Sequence, residues 1–208
     1  MNNILEILKE NYIFAVIRGE SIEDAIEISK AAIAGGIKNI EITFSTPNAT
    51  EVIKKLIEYY KEDASVIIGA GTVMSLADAK EALNAGASYL VSPHFSLQIA
   101  EYSLENEVNY FPGCGTVTEI VNAMNAGCKL IKIFPGGILG PEFIKNIHGP
   151  ISTAELMPSG GVSIDNIQEW KRNGASAVGI GSALSRDVKV NGYESVTERS
   201  RKFLQKIK

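Results

Sequence analysis

The hydrophobic pattern along this chain repeats one unit eight times, a short apolar run followed by an amphipathic stretch. Short apolar runs bounded by Gly, Pro or Ser are typical of buried strands, and apolar positions three to four residues apart indicate helices. The pattern predicts strands over residues 13–17, 38–43, 65–69, 88–92, 108–111, 130–134, 155–157 and 176–180.

Helix signals follow each predicted strand. Ser21 and Asp24 form a capping pair that begins the first of these helices, and Gly35-Gly36 ends it. Further helices are predicted over residues 48–62, from about 75, from about 96, over 116–126, 141–147 and 163–173, and from about 193, with a short amphipathic helix over 2–11 before the first strand.

The repeat predicts the fold class. Gly36, Gly86, Gly127 and Gly174 each stand between the end of a helix and the start of a strand, an internal echo that supports eight strand–helix units. Eight parallel apolar strands need cover on their outer side, which favours a (β/α)8 TIM barrel formed by residues 1–208 as a single domain. The alternative is a doubly wound open sheet, against which no GxGxxG follows the first strand.

Lys132 lies in the middle of the sixth predicted strand. Burying an unpaired ammonium is costly, so this side chain fits poorly against the outer helices. Alternation along the strand places Leu130, Lys132 and Phe134 on one face. If that face is the barrel interior, burial favours the neutral amine and makes Lys132 a candidate nucleophile for Schiff-base chemistry. The alternative is a lysine that extends from the strand end into water.

Glu41 is a second ionisable residue inside an apolar strand. In a purely structural interpretation, Glu41 forms a salt bridge that only balances the charge of Lys132. Two ionisable groups that face inward from apolar strands are, however, more typical of a functional pair. Schiff-base chemistry moves protons at the carbinolamine and at a substrate hydroxyl, so Glu41 is the candidate acid and base.

Polar residues cluster where the predicted strands end, the catalytic face of this fold. Arg18 directly follows the first strand. Its planar guanidinium either binds a carboxylate through two hydrogen bonds or lies in water at the rim of the barrel. Thr72 offers a hydroxyl for the same carboxylate. Ser159-Gly160-Gly161 and Gly181-Ser182 close the last two strands, where backbone N–H groups next to glycine can approach a phosphate closely.

Composition narrows the class of partner. The net charge of -4 over 208 residues, with 45% hydrophobic residues, indicates a globular protein with no basic surface for nucleic acid or an anionic membrane. No apolar run approaches the ~18 residues of a membrane span, and no signal peptide is recognised. Cys114 and Cys128 lack metal or redox spacing, and His94 and His148 are isolated, so we expect no metal, no cofactor and a cytoplasmic location.

Taken together, these motifs resemble the 2-keto-3-deoxy-6-phosphogluconate (KDPG) and 4-hydroxy-2-oxoglutarate (KHG) aldolases, a class I, Schiff-base family of (β/α)8 barrels. As a set in this order the motifs are far more specific than any one of them alone. The resemblance covers the chain from about Ile13 to Ser185. The motifs are Glu41-Ile-Thr, Gly69-Ala-Gly-Thr-Val73, Val91-Ser-Pro-His94, Pro112-Gly, Lys132-Ile-Phe-Pro135, Pro158-Ser-Gly-Gly161 and Gly179-Ile-Gly-Ser182.

The resemblance implies roles for individual residues. It implies that Lys132 is the Schiff-base lysine, that Glu41 is the acid/base, and that Arg18 and Thr72 face the substrate carboxylate. It further implies a metal-independent homotrimer that cleaves a phosphorylated 2-keto acid to pyruvate and an aldehyde. The pocket would be shaped by Pro93 and Phe134, and the phosphate would be held by Ser159, Gly160, Gly161, Gly181 and Ser182.

Two positions depart from the family pattern. Many relatives carry an arginine for the substrate carboxylate shortly after the strand that holds the glutamate, where this chain has Phe44-Ser45-Thr46. Ser159 stands where relatives often have threonine. The first departure leaves open which acid is preferred: the gluconate, its galactonate epimer or 4-hydroxy-2-oxoglutarate.

Two other function classes compete with an aldolase. A phosphosugar epimerase or isomerase on the same barrel needs an acid/base pair or a metal but forms no lysine adduct. A phosphate-ligand sensor would keep the glycine loops and lose the chemistry. The presence of both Lys132 and Glu41 favours the aldolase.

Overall fold

The strands of the computed structural model, which describes residues 4–207, follow the predicted order. All eight predicted strands are present, and each end lies within two residues of its predicted position. One further strand, Gly113–Cys114, follows Pro112. Because proline has no N–H to donate to a ladder, Pro112 separates this strand from the one that ends at Phe111. The strands are β1 (Ile13–Ile17), β2 (Asn39–Thr43), β3 (Ile67–Gly71), β4 (Tyr89–Val91), β5 (Asn109–Phe111), β6 (Gly113–Cys114), β7 (Ile131–Ile133), β8 (Leu156–Pro158) and β9 (Val178–Ile180).

The predicted helices are also present, with small differences at their ends. Residues 2 and 3 of the predicted first helix lie outside the described residues. Three short helices, α7, α10 and α11 below, were not predicted, because a single turn shows no hydrophobic period. The helices are α1 (Ile4–Asn11), α2 (Ile22–Ala34), α3 (Ala49–Tyr59), α4 (Leu76–Asn84), α5 (Leu97–Glu105), α6 (Val117–Asn125), α7 (Gly136–Leu139), α8 (Pro141–His148), α9 (Ile167–Arg172), α10 (Ser182–Ser185), α11 (Val188–Asn191) and α12 (Glu194–Ile207).

Local hydrogen bonds explain where these helices begin. Ser21 Oγ accepts from the backbone N–H of Asp24, which confirms the predicted cap of α2. Capping boxes begin α4 and α6 in the same way. The predicted helix over 163–173 begins later, at Ile167, because Ser163 N–H donates to Asn166 Oδ1 and closes a turn first.

The parallel strands form a curled arrangement in two sheets. Six strands pair in the order β5-β4-β3-β2-β1-β9, so the last strand lies beside the first, and three pair in the order β6-β7-β8. An isolated bridge between Ser159 and Gly179 connects the end of β8 to β9. The predicted continuous eight-stranded ladder is therefore interrupted. Both interruptions lie beside a proline, Pro112 or Pro158, which cannot donate to a ladder.

An aromatic core fills the inner side of the sheet. The rings of Phe14 and Tyr89 meet edge to face with centroids 5.4 Å apart, and Phe111 completes the group. Leu5 and Leu8 of α1 belong to the same buried cluster. The inner side of the sheet is thus filled by packed side chains. Across residues 4–207, no helix is both long and apolar enough to cross a membrane.

Candidate active site

A cavity of about 640 Å³ opens at the carboxyl ends of the strands. Every residue that the sequence predicted for the site lies in its wall, although these residues come from seven separate places in the chain. The parallel strands bring them together because their carboxyl ends meet at one edge. The eleven are Arg18, Glu41, Thr72, Pro93, Lys132, Phe134, Ser159, Gly160, Gly161, Gly181 and Ser182.

Lys132 and Glu41 face each other across the inner side of this cavity. Lys132 Nζ lies 3.7 Å from Glu41 Oε1, and the two side chains are only 7% and 1% exposed. The interpretation of Lys132 as a side chain that extends into water is therefore wrong. The Phe134 ring lies beside the amine, with its centroid 5.4 Å from Nζ. An amine, a carboxylate and an apolar wall thus meet at one point.

The Glu41 carboxylate has an unusual environment. Burial raises its pKa above the ordinary value for glutamate, and the nearby positive charges of Lys132 and Arg18 only partly offset this effect. Neither carboxylate oxygen has a hydrogen-bond partner within residues 4–207, because the 3.7 Å contact with Lys132 exceeds hydrogen-bond distance. A carboxyl group with a raised pKa keeps its proton to higher pH than an ordinary glutamate, which suits a group that must return a proton.

The outer rim next to this pair carries the predicted carboxylate-facing residues. Arg18 is exposed at the end of β1, and Ser45 holds its Nε nitrogen by a hydrogen bond. Thr72, directly after β3, has a φ angle of 53°, a left-handed conformation that is uncommon for a β-branched residue. Such strain is typical of functional positions, where the surrounding fold imposes it.

The opposite wall contains the predicted phosphate loops. Gly160 and Gly161 have φ angles of 80° and 79°, which glycine adopts without penalty. A Cβ on Gly161 would lie 2.4 Å from the Cα of Gly137, so the two backbones approach as closely as glycine allows. Ser159 is buried beneath this loop, whereas Ser182 is exposed where α10 begins. The wall therefore offers backbone and hydroxyl groups rather than bulky side chains.

Comparison with known proteins identifies the family. The profile described as "KDPG and KHG aldolase" matches residues 4–198. The chain belongs to the KDPG and KHG aldolase family. Its homologues are named as aldolases, which are lyases.

Individual relatives of this aldolase cover nearly its whole length. It is 31% identical to the 2-dehydro-3-deoxy-phosphogluconate aldolase of Treponema pallidum, over 99% of this chain and 98% of the relative. It is 29% identical to the 2-dehydro-3-deoxy-6-phosphogalactonate aldolase of Escherichia coli, over 84% of each chain. Among solved structures, the KDPG aldolase of Legionella pneumophila, with pyruvate captured as a covalent carbinolamine intermediate, superimposes with a TM-score of 0.85 at 27% identity, covering 94% of this chain and 95% of that one.

Some residues of the aldolase site were missed by the sequence analysis. Val16 faces the cavity from β1, where strand alternation could have placed it. Arg186 lies in the wall directly after the unpredicted helix α10, so no strand-end signal marked it. The other missed lining residues are Val162, Ser163, Gly179, Ala183 and Ser185.

In the part that the structure describes, residues 4–207, no three His, Cys, Asp or Glu side chains are grouped closely enough to hold a metal ion. His94 lies in the loop after β4 and is not part of the cavity wall.

Proposed function

We propose that this chain is a class I aldolase that reversibly cleaves 2-dehydro-3-deoxy-6-phosphogluconate to pyruvate and D-glyceraldehyde 3-phosphate through a Schiff base on Lys132. The observation that carries the proposal is the buried pair of Lys132 and Glu41, with Nζ and Oε1 3.7 Å apart in the wall of an open cavity. Cleavage of 4-hydroxy-2-oxoglutarate to pyruvate and glyoxylate is a second reaction open to the same groups. The proposed steps use only side chains, substrate and water.

The first half of the reaction forms the imine. The neutral amine of Lys132 attacks the C2 carbonyl carbon, and the carbonyl oxygen takes up a proton to give a carbinolamine. Loss of water then leaves a protonated imine. Glu41 is placed to supply and remove these protons, since its carboxylate lies 3.7 Å from the Lys132 amine and burial raises its pKa.

The second half breaks the carbon–carbon bond. Glu41 accepts the C4 hydroxyl proton through a water molecule, the C3–C4 bond breaks, and its electron pair moves into the imine to form an enamine. The aldehyde leaves, and Glu41 returns a proton to C3. Hydrolysis of the resulting imine releases pyruvate and restores the Lys132 amine. The Phe134 ring beside the amine shields the enamine from water.

The two ends of the substrate fit the two walls. Arg18 and Thr72 are proposed to bind the C1 carboxylate, because a guanidinium matches a carboxylate in a planar fork. At the other wall, Gly160, Gly161 and Ser182 are proposed to receive the C6 phosphate. Ser159 and Gly181 complete this loop pair, and Pro93 shapes the pocket between the walls.

We further propose that residues 1–208 form one closed (β/α)8 barrel. β9 already pairs with β1, and the Ser159–Gly179 bridge joins the smaller sheet to the larger one. On the other side, Pro112 alone separates β5 from β6, so the two pieces act as one bent strand. Hydrogen bonding around the whole ring would remove the open edges that the two sheets otherwise present.

A trapping experiment tests the Schiff base. Borohydride reduction in the presence of pyruvate should add one reduced pyruvate to the protein, and peptide mapping should place it on Lys132. The Lys132→Met variant should gain no adduct, whereas Lys129→Met, three residues earlier in the same segment, should behave as wild type. A folded wild-type protein that stays unmodified would overturn the proposal.

A second candidate substrate is the galactonate epimer. The relative from Escherichia coli that is named for this substrate is 29% identical over 84% of the chain, close to the identity of the gluconate relative. Comparison of kcat/KM for the two epimers distinguishes them, and we expect the higher value for the gluconate. A higher value for the galactonate would reassign the substrate and keep the Schiff-base steps.

We also propose a homotrimer in the cytoplasm. Several large apolar side chains follow strands β3, β4, β6 and β7 and are exposed in the single chain, which is typical of an interface. Light scattering should give three times the chain mass, and Ile138→Asp, which places a charge on the most exposed of them, should lower it. The exposed residues are Met74, Leu97, Val117, Val121 and Ile138.

The proposed cytoplasmic location agrees with the cysteines. Cys114 and Cys128 are both free thiols, in keeping with a reducing compartment.

A further inference from the structure

Tyr89 is a polar residue in the inner core that no step of the proposed mechanism uses. It begins β4 and is fully buried, and its ring packs against Phe14 and Phe111. Within residues 4–207 its hydroxyl group has no hydrogen-bond partner. A buried hydroxyl without a partner is costly, so a native structure that keeps one calls for an explanation.

Two glycines place this hydroxyl near the Glu41 carboxylate. β3 lies between β2, which carries Glu41, and β4, which carries Tyr89. A Cβ on Gly69 would lie 2.4 Å from Cζ of Tyr89, and a Cβ on Gly71 would lie 2.1 Å from Oε1 of Glu41. The two side chains thus fill the space that two glycines on one face of β3 leave free. Positions two residues apart on a strand are separated by ~7 Å.

The unpaired atoms of the two residues complement each other. Tyr89 offers one O–H donor, and Glu41 offers two carboxylate oxygens that lack partners among the described residues. A buried water needs two to four polar partners, which is about what these atoms supply together. The aromatic neighbours Phe14 and Phe111 pack against the Tyr89 ring and so hold its hydroxyl oxygen in place.

We propose that Tyr89 is a positioning residue for Glu41, and that its hydroxyl donates a hydrogen bond toward the carboxylate through one shared water molecule. This inference rests on the proposed function, in which Glu41 moves protons. A donor directed at the carboxylate favours its ionised form and opposes the effect of burial. Tyr89 thereby favours the form of Glu41 that can accept a proton.

The charged and titratable groups around Glu41 agree with this role. Lys132 on β7 and Arg18 after β1 are the cations that act on it, and Tyr89 approaches from β4. Burial first, and the Glu41 charge second, raise the pKa of Tyr89 well above its ordinary value. Tyr89 therefore keeps its proton and remains a donor while Glu41 changes state.

The test replaces the hydroxyl and keeps the ring. In Tyr89→Phe, the pKa of Glu41, followed by carboxyl-carbon NMR in the resting protein, should rise. The acid limb of the pH profile for pyruvate methyl-proton exchange should move upward by about one pH unit, since a hydrogen bond to a charged group has an effect of about this size. The exchange rate at high pH should stay close to wild type, because Glu41 is then ionised in both proteins.

Tyr12→Phe is the matched control. The Tyr12 hydroxyl is another buried group without a partner in residues 4–207, but it belongs to the outer core, whereas Tyr89 belongs to the inner one. The Tyr12→Phe variant should leave the pH profile of proton exchange unchanged. In a Glu41→Gln background, Tyr89→Phe should add no further change in pH dependence.

The outcomes separate this inference from the proposed function. An unchanged Glu41 pKa in Tyr89→Phe, or an equal loss of exchange at every pH, would overturn the positioning role even if the enzyme is an aldolase. If wild type exchanges no pyruvate protons, the proposed function fails, and the NMR titration of Glu41 still decides whether Tyr89 acts on it.

Discussion

Ser45 anchors Arg18. The Nε nitrogen of Arg18 donates to Ser45 Oγ at 2.8 Å, and Thr43 lies 2.9 Å from the same Ser45 oxygen. Ser45 stands in the segment after the Glu41 strand, where the family resemblance leads us to expect an arginine. The guanidinium at this rim therefore comes from the end of β1, and a serine after β2 fixes its direction.

The first prediction follows from this contact. Ser45→Ala should raise KM for the phosphorylated substrate by about two- to tenfold, since a single hydrogen bond contributes ~0.5–1.5 kcal/mol, and should change kcat little. Arg18→Gln, which removes the charge itself, should raise KM further. Steady-state kinetics on the two variants measure both effects. An unchanged KM in Ser45→Ala would mean that Arg18 needs no anchor to bind the carboxylate.

Lys132→Met should abolish cleavage and make stability depend on pH. The variant leaves the buried Glu41 without its counter-charge, so the folded protein favours the protonated acid. A carboxyl group whose pKa is raised by folding costs stability above its unfolded pKa of ~4.3, and that stability returns as pH falls through the folded pKa.

Urea unfolding at pH 5 and pH 8 measures this dependence. Lys132→Met should be more stable at pH 5 than at pH 8 relative to wild type. The double variant Lys132→Met/Glu41→Gln should lose the difference, because glutamine does not titrate. Residual turnover within tenfold of wild type would exclude the Schiff-base role.

Glu41→Gln should slow proton transfer more than substrate binding. General acid/base groups contribute about 10²–10⁴-fold to rate, so exchange of pyruvate methyl protons into deuterated water should fall by that order. Trapping of pyruvate on Lys132 by borohydride should continue, although more slowly. Exchange at the wild-type rate would assign the acid/base role to another group.

Ser182→Ala tests the phosphate wall. The exposed hydroxyl at the start of α10 should contribute ~1.5–3 kcal/mol to binding a charged group, so kcat/KM for the phosphorylated acid should fall by about 10- to 100-fold. The unphosphorylated 4-hydroxy-2-oxoglutarate is the internal control and should be affected much less. Equal losses on both substrates would place the phosphate elsewhere. Gly161→Val is a poorer test, because any Cβ there would collide with Gly137 and disturb the fold.

Alkaline pH should destabilise the protein. Burial raises the pKa of the Cys114 and Cys128 thiols to about 12, and that of Tyr110 also to about 12. The unfolded chain therefore loses these protons first, at pH ~8.5–10, and stability falls as pH rises from there toward 12. Urea unfolding at pH 8 and pH 10.5 should show the decrease, and Cys114→Ala should reduce its slope. A slope that is the same in Cys114→Ala would show that this thiol does not contribute.

The sequence by itself determined the strands, the cap of α2 and a set of residues that line one cavity. These features depend on local signals: apolar runs, capping pairs such as Ser21 with Asp24, and polar residues at strand ends. In a parallel sheet every strand end reaches the same edge, so residues far apart in the chain could be grouped without knowing any distance. The isolated charges Lys132 and Glu41 stood out because apolar strands rarely carry them.

Only the tertiary structure decided which of these groups meet and how. Neither the 3.7 Å approach of Lys132 to Glu41 nor the contact between Arg18 and Ser45 follows from local pattern, because each depends on register between different strands and loops. The sequence pattern could not predict the interrupted sheet or the short helix before Arg186 either, since segments of a few residues show no hydrophobic period. The space that Gly69 and Gly71 leave for Tyr89 and Glu41 exists only once β2, β3 and β4 lie side by side.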